Sequence, residues 1–84
     1  MKKLKLTRDL LSAVLRVYSN GKDLNRDPRL YVSTITDMLR NSCGADFSED
    51  EFYLLFNKVV NPHLGFKIDK SSGPEGRPEI FYRK

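Results

Sequence analysis

The chain has 84 residues, with 15 Lys and Arg against 11 Asp and Glu, a formal net charge of +4 and a pI near 9.4. That length suits one domain, 1–84, and not two; no run approaches the roughly 20 apolar residues that cross a bilayer, so no membrane association is expected. Cys43 and His63 are the only residues of their kinds, which excludes an internal disulfide and a Cys/His zinc cage.

Residues 1–6 are basic, with Lys2, Lys3 and Lys5; with Arg8 they could form a flexible basic arm that contacts nucleic acid, the alternative being a simply solvated terminus. No uninterrupted apolar stretch follows, because Arg8 and Asp9 intervene, so secretion is not expected. A first helix is predicted from Thr7, whose hydroxyl suits an unpaired first-turn amide. Asp9 complements the helix dipole. Leu10, Leu11, Val14, Leu15, Val17 and Tyr18 recur at helical spacing and predict one buried stripe. Asn20-Gly21 predicts a left-handed stop. The connection that follows carries Leu24, a candidate anchor to the core.

Asp27-Pro28 predicts the start of a second helix, with Asp27 as cap and proline in the first turn. Tyr31, Val32, Ile35, Met38 and Leu39 then share the core face. Arg29, Ser33, Thr36 and Arg40 lie opposite, and Asn41–Gly44 ends the helix. The third helix has the strongest local signal. Ser48 and Glu51 form a capping box, and Phe47 and Phe52 occupy the positions of a hydrophobic staple. Phe52, Leu55, Phe56, Val59 and Val60 make the buried stripe. Asp50, Leu54, Asn57 and Asn61 make the outer face, with Tyr53 and Lys58 on its edges. Pro62 is expected to end this helix.

The period then changes from helical to two. Leu64, Phe66 and Ile68 alternate with Gly65, Lys67 and Asp69, which predicts a strand. Ser71 to Pro78 is rich in turn formers, and residues 79–84 return as a second strand. The expected fold is therefore α+β: a three-helix bundle followed by a C-terminal antiparallel β-hairpin.

Charge is unevenly spread along these elements. Residues 1–42 hold nine basic and four acidic residues; residues 43–63 hold Lys58 against Asp46, Glu49, Asp50 and Glu51; residues 64–84 hold five basic and three acidic. Excess positive charge favours polyanions through long-range attraction and counterion release.

Three helices followed by a strand–loop–strand segment resemble the winged-helix branch of helix-turn-helix domains, over Thr7 to Lys84. The resemblance implies a DNA-binding protein with a regulatory role, cytoplasmic, or nuclear in a eukaryote. It implies that the third helix, Glu49 to Val60, enters the major groove and that the wing, Phe66 to Tyr82, touches the backbone or minor groove. On the helix the candidate nucleic-acid contacts are Tyr53, Asn57, Lys58 and Asn61. The two asparagines can donate to and accept from adenine edges. On the wing they are Lys67, Lys70, Ser71, Ser72 and Arg77, donors suited to phosphate oxygens. Arg29, Ser33 and Arg40 offer a further backbone contact. The segment from Arg40 to Ser48 is longer than the turn of a compact helix-turn-helix unit.

Glu49, Asp50 and Glu51 at the start of that helix count against DNA, because they would repel phosphates. An alternative is a protein-interaction module, a dimer or an adaptor or inhibitor of a larger complex, whose interface is Glu49, Asp50, Tyr53 and Leu54. An apolar centre with an aromatic neighbour and a charged rim is a common small interface. No Gly-rich phosphate loop or paired metal-ligand spacing is present, and the acidic cluster lacks the spacing and central glycine of an EF-hand loop. Enzymatic activity and cofactors are not expected.

Overall fold

The computed structural model describes residues 4–23, 25–74 and 77–82. Expectations for Lys2 and Lys3 in a basic arm, for Leu24 as an anchor, and for Arg83 and Lys84 in the last strand lie outside the described residues.

The Thr7 hydroxyl accepts a hydrogen bond from the Leu10 amide at 3.2 Å and caps helix α1 (Arg8–Gly21). Leu11, Val14 and Leu15 bury the inner face. Two expectations for this helix fail. Val17 is 63% exposed, because its direction lies well to one side of the Leu11–Leu15 line. Gly21 is the last helical residue and does not adopt a positive φ; the chain leaves through Lys22 in an extended conformation.

The second helix does not begin at Pro28. Residues Arg29–Tyr31 form strand β2, and helix α2 (Val32–Asp37) follows directly. Asp27 caps a turn instead of a helix. Its Oδ1 accepts from the Arg29 amide at 3.2 Å and from Arg29 Nε at 3.0 Å, an arrangement typical of Asp in turns. Leu30 points inward and is fully buried, and the alternate residues Arg29 and Tyr31 are exposed or half-buried. Tyr31 therefore leaves the helical core face to which its spacing assigned it, and Arg29 is not on a helix. Backbone pairing with a distant strand overrides the local helix signal here.

After α2 the rod continues as a wider, i→i+5 bonded segment, Met38–Ser42, and stops at Gly44, φ 71°. Ala45–Asp46 (β3) then pairs in parallel with Leu4–Lys5 (β1). Leu6 is buried in the core, so the segment from residue 4 onward is tied down and is no free arm.

The third rod starts where expected. The Ser48 hydroxyl accepts from the Glu51 amide at 3.2 Å, and the Glu51 carboxylate accepts from the Ser48 amide at 3.4 Å. Helix α3 (Glu49–Leu55) passes into an i→i+5 bonded segment, Phe56–Val60, and then a final α-turn, α4 (Asn61–Leu64). Pro62 therefore sits inside the rod and does not end it. A proline ring clashes with the carbonyl four residues back and brings no amide of its own. Widening the preceding turn, so that the Asn61 amide reaches Phe56 O, removes the usual bonding pattern at the place where proline would break it. Gly65 ends the rod, with φ 70° and its amide donating to Asn61 O at 2.7 Å. Leu64 is accordingly helical and not part of a strand.

Strands β4 (Lys67–Ile68) and β5 (Ile80–Tyr82) pair antiparallel, as the hairpin predicts, and β5 also pairs antiparallel with β2. The domain is thus α+β, with three helical rods, a three-stranded antiparallel sheet in the order β2-β5-β4, and a short parallel pair. Leu30, Phe81 and Ile68 lie side by side on the inner face of the sheet. Phe81 stacks on Phe56 with centroids 4.2 Å apart, and Phe56 stacks on Phe52 at 6.2 Å. This aromatic column joins the sheet to the third rod and forms the centre of the core.

Candidate nucleic-acid interface

Of the residues expected on the outer face of the third rod, Asp50, Leu54, Asn57 and Lys58 are exposed. Leu54 is 57% exposed. Asn61 is only half exposed, and its Oδ1 is buried without a hydrogen-bond partner among the described residues. Tyr53 is the clear correction. It is 9% exposed, its ring meets Phe52 edge-on at 5.2 Å, and its hydroxyl donates to Pro78 O at 2.9 Å. Burial, with Glu79 and Glu49 nearby, raises its pKa. It anchors the hairpin to the rod and is unavailable either to a base or to a protein partner.

The wing is built around Asp69. Its Oδ1 accepts from the Ser71 hydroxyl at 2.6 Å and from the Ser71 amide at 3.0 Å, and its Oδ2 accepts from the Tyr82 hydroxyl at 3.4 Å. These bonds, Ser71 foremost, hold its pKa below the ordinary carboxylate value. Ser72 closes the loop. Its hydroxyl donates to Asp69 O at 2.7 Å and accepts from the amides of Glu79 and Ile80 at 2.9 and 3.0 Å. Gly73 is required at the neck, because a Cβ there would stand 2.5 Å from Arg77 O. Both serines are therefore engaged in shaping the wing. The D-x-S pattern at Asp69–Ser71 is a readable turn signal. It marks an organising carboxylate that does not show among candidate phosphate donors, since a carboxylate is no donor.

Arg77 is also engaged. Its guanidinium forms ion pairs with Glu49, at 3.4 Å, and with Asp50. The wing thus folds a positive charge onto the acidic start of α3. This partly neutralises the carboxylates that would repel phosphate and removes the arginine from the free donors. Arg40 lies over the Phe47 ring, 4.4 Å from its centroid, and donates to Phe47 O at 3.3 Å. Arg29 is bound to Asp27 on a different part of the surface. The expected cluster of Arg29, Ser33 and Arg40 does not form along one helix.

Asn57 and Lys58 on the rod and Lys67 and Lys70 on the wing remain exposed. The three lysines have no ion-pair partner among the described residues. A cavity of about 190 Å³ between α2, α3 and Glu79 is lined by Ser33, Thr36, Arg40 and Glu49 together with Phe52 and Tyr53. Its mixed charges suit no single ligand class. Among the described residues no three His, Cys, Asp or Glu side chains converge as a metal cage, and no helix is long and apolar enough to cross a membrane.

Neither the scan of protein-family models nor the searches of curated proteins and of solved structures found a match for this chain.

Proposed function

We propose that the chain is a winged-helix-type module that binds nucleic acid, duplex DNA first, in a regulatory role. The observation that carries this is the position of β2. A strand between the first and second helices pairs with the far strand of the C-terminal hairpin, giving the order α1-β2-α2-α3-β4-wing-β5 with a sheet order of β2-β5-β4. That arrangement packs the hairpin against the third rod through the Phe81–Phe56 stack, and each of the two elements carries exposed lysines. Asn57 supplies the base contact, and Lys58, Lys67 and Lys70 supply phosphate contacts.

Affinity for duplex DNA should fall steeply with salt, and replacing the three lysines together by alanine should weaken binding to all sequences. The salt slope should drop by about one for each phosphate that its lysine no longer neutralises. Salt-insensitive association, or none with any duplex, would sink this reading. A protein-interaction module is the second reading, favoured by the exposure of Leu54 beside the carboxylates of Asp50 and Glu51. Its interface comprises Glu49, Asp50 and Leu54, without Tyr53. Leu54→Asp should abolish partner capture or self-association and leave the lysine-dependent affinity in place; an unchanged sedimentation profile and unchanged capture would end it.

A further inference from the structure

The face of the sheet turned away from the core carries an ordered set of aromatic and basic side chains. Successive residues of a strand point to opposite faces, and directly paired residues point the same way. Leu30 and Phe81 are fully buried on the inner face. Their neighbours Arg29, Tyr31, Ile80 and Tyr82, with Lys67 on β4, therefore form the outer face. The pairing aligns Lys67, Tyr82 and Arg29 in one row across the three strands, and Tyr31 with Ile80 in the next. Lys67 and Arg29 are exposed, and the two tyrosines are half-buried.

Each ring has a cation beside it. Tyr82 lies between Lys67 and Arg29. Tyr31 has Lys22 Nζ 5.1 Å and the Arg29 guanidinium carbon 5.7 Å from its centroid. One carboxylate at this site, Asp27, is shared between Lys22 and Arg29; with Asp69 beside Tyr82, the three cations Lys22, Arg29 and Lys67 still outnumber the carboxylates. Hydrogen bonds from Arg29 are the chief reason that the Asp27 pKa is lowered to about 2. The Tyr82 hydroxyl donates to Asp69 Oδ2 at 3.4 Å, a long contact at the edge of the ring.

We infer that this outer sheet face binds single-stranded nucleic acid, with a base stacked on Tyr82 and the adjoining phosphates on Lys67 and Arg29. Aromatic rings on a sheet offer a stacking surface to any base, and flanking cations neutralise the backbone. A duplex cannot use the rings, because its bases are already stacked inside. A dry protein interface fits poorly, because its centre would have to bury the charges of Arg29 and Lys67, and interface cores are depleted in charge. This surface shares Lys67 with the proposed duplex contacts, but Tyr31, Tyr82 and Arg29 are not among those contacts, so substitutions at these positions test single-strand binding separately.

The chain has no tryptophan, so its intrinsic emission comes from tyrosine and stacking can be read directly. Labelled 12-nucleotide oligo-uridine and oligo-deoxythymidine, with a 12-base-pair duplex as a separate arm, should be titrated with the intact chain. Single strands should bind with quenching of tyrosine emission. Tyr82→Ala should weaken that binding about five-fold or more, Tyr82→Phe should retain it within two-fold, and both should leave duplex affinity unchanged. Lys58→Ala should weaken only the duplex arm. Should Tyr82→Ala fail to fold, Arg29→Gln serves instead, since it removes a flanking charge outside the core. No single-strand binding, or binding unaffected by Tyr82→Ala and Arg29→Gln, overturns the proposal. So does self-association that Tyr82→Ala abolishes, because a second copy would then cover the face.

Discussion

The aromatic column and the wing are held by opposite kinds of force, although Tyr53 belongs to both. In the column, Phe52, Phe56 and Phe81 are fully buried and stacked. Its stability comes from apolar burial and ring packing, which depend weakly on pH and salt. In the wing, Asp69, Ser71, Ser72 and Arg77 are joined by hydrogen bonds and ion pairs at or near the surface. Such interactions fix geometry more than they add free energy. The domain therefore has a core that decides whether it folds and a wing whose shape can be altered while the core stays intact.

The largest test of that contrast is Phe56→Ala. It removes the ring at the centre of the column and should destabilise the domain by about 3–5 kcal/mol, read as a fall in the urea midpoint. A small shift there would mean that the column is not the centre of the fold. Tyr53→Phe keeps the ring and removes only the bond to Pro78 O, and should cost about 1 kcal/mol. The signature should be faster amide exchange across 77–82 with little change in the helices; uniform loss across the molecule would contradict a local anchor.

Ser72→Ala should have a smaller global effect, under about 1 kcal/mol, and a pronounced local one. The amides of Glu79 and Ile80 lose their acceptor, so their exchange should accelerate while that of Leu11 does not. Arg77→Gln should lower global stability by no more than about 1 kcal/mol, because the ion pairs are exposed. If it also raises duplex affinity, Glu49 and Asp50 assist binding; the expected outcome is a modest loss, because the carboxylates are then left to repel phosphate.

Acid should separate the two regions without mutation. The pKa of Asp69 is lowered in the folded state by its bonds from Ser71. Its contribution is therefore fully present above the unfolded value of 3.8 and is lost as pH falls through that value toward the folded one. Wing amides should lose protection in this window before the aromatic core melts, a sequence visible by acid titration of backbone resonances. Simultaneous loss of both would show that wing and core are one cooperative unit.

What was legible in the sequence follows the same division. The caps at Thr7 and Ser48 and the buried positions Phe52, Phe56 and Val60 are local signals, and each appears where the spacing places it, whereas Leu55 and Val59, assigned to the same stripe, are only half-buried. The hairpin was legible from its change of period. Strand β2 was not, because three residues cannot display a period, and what makes Arg29–Tyr31 a strand is Ile80–Tyr82, far along the chain. Tyr53 lay on the border of its helix face, and only the return of Pro78 over it decides that it is buried. Arg77 offered itself as a phosphate donor because nothing near it in sequence shows that Glu49 and Asp50 lie within reach. The exposed positions Leu54, Asn57 and Lys58 follow from helical spacing alone. The outer sheet face could not be foreseen without β2.

The central place of β5 has a consequence for how the chain is made. Its two neighbours, β2 and β4, are both synthesised before it, and they cannot pair with each other across the gap it fills. While it is still missing, Leu30 and Ile68 have no Phe81 between them, Phe56 lacks its stacking partner, and the edge of β2 is open. The three-stranded sheet therefore cannot form strand by strand as the chain emerges. It closes only once Ile80–Tyr82 is present, and a chain that lacks β5 leaves the backbone edge of β2 and the side chain of Leu30 uncovered, an opening for pairing with another chain.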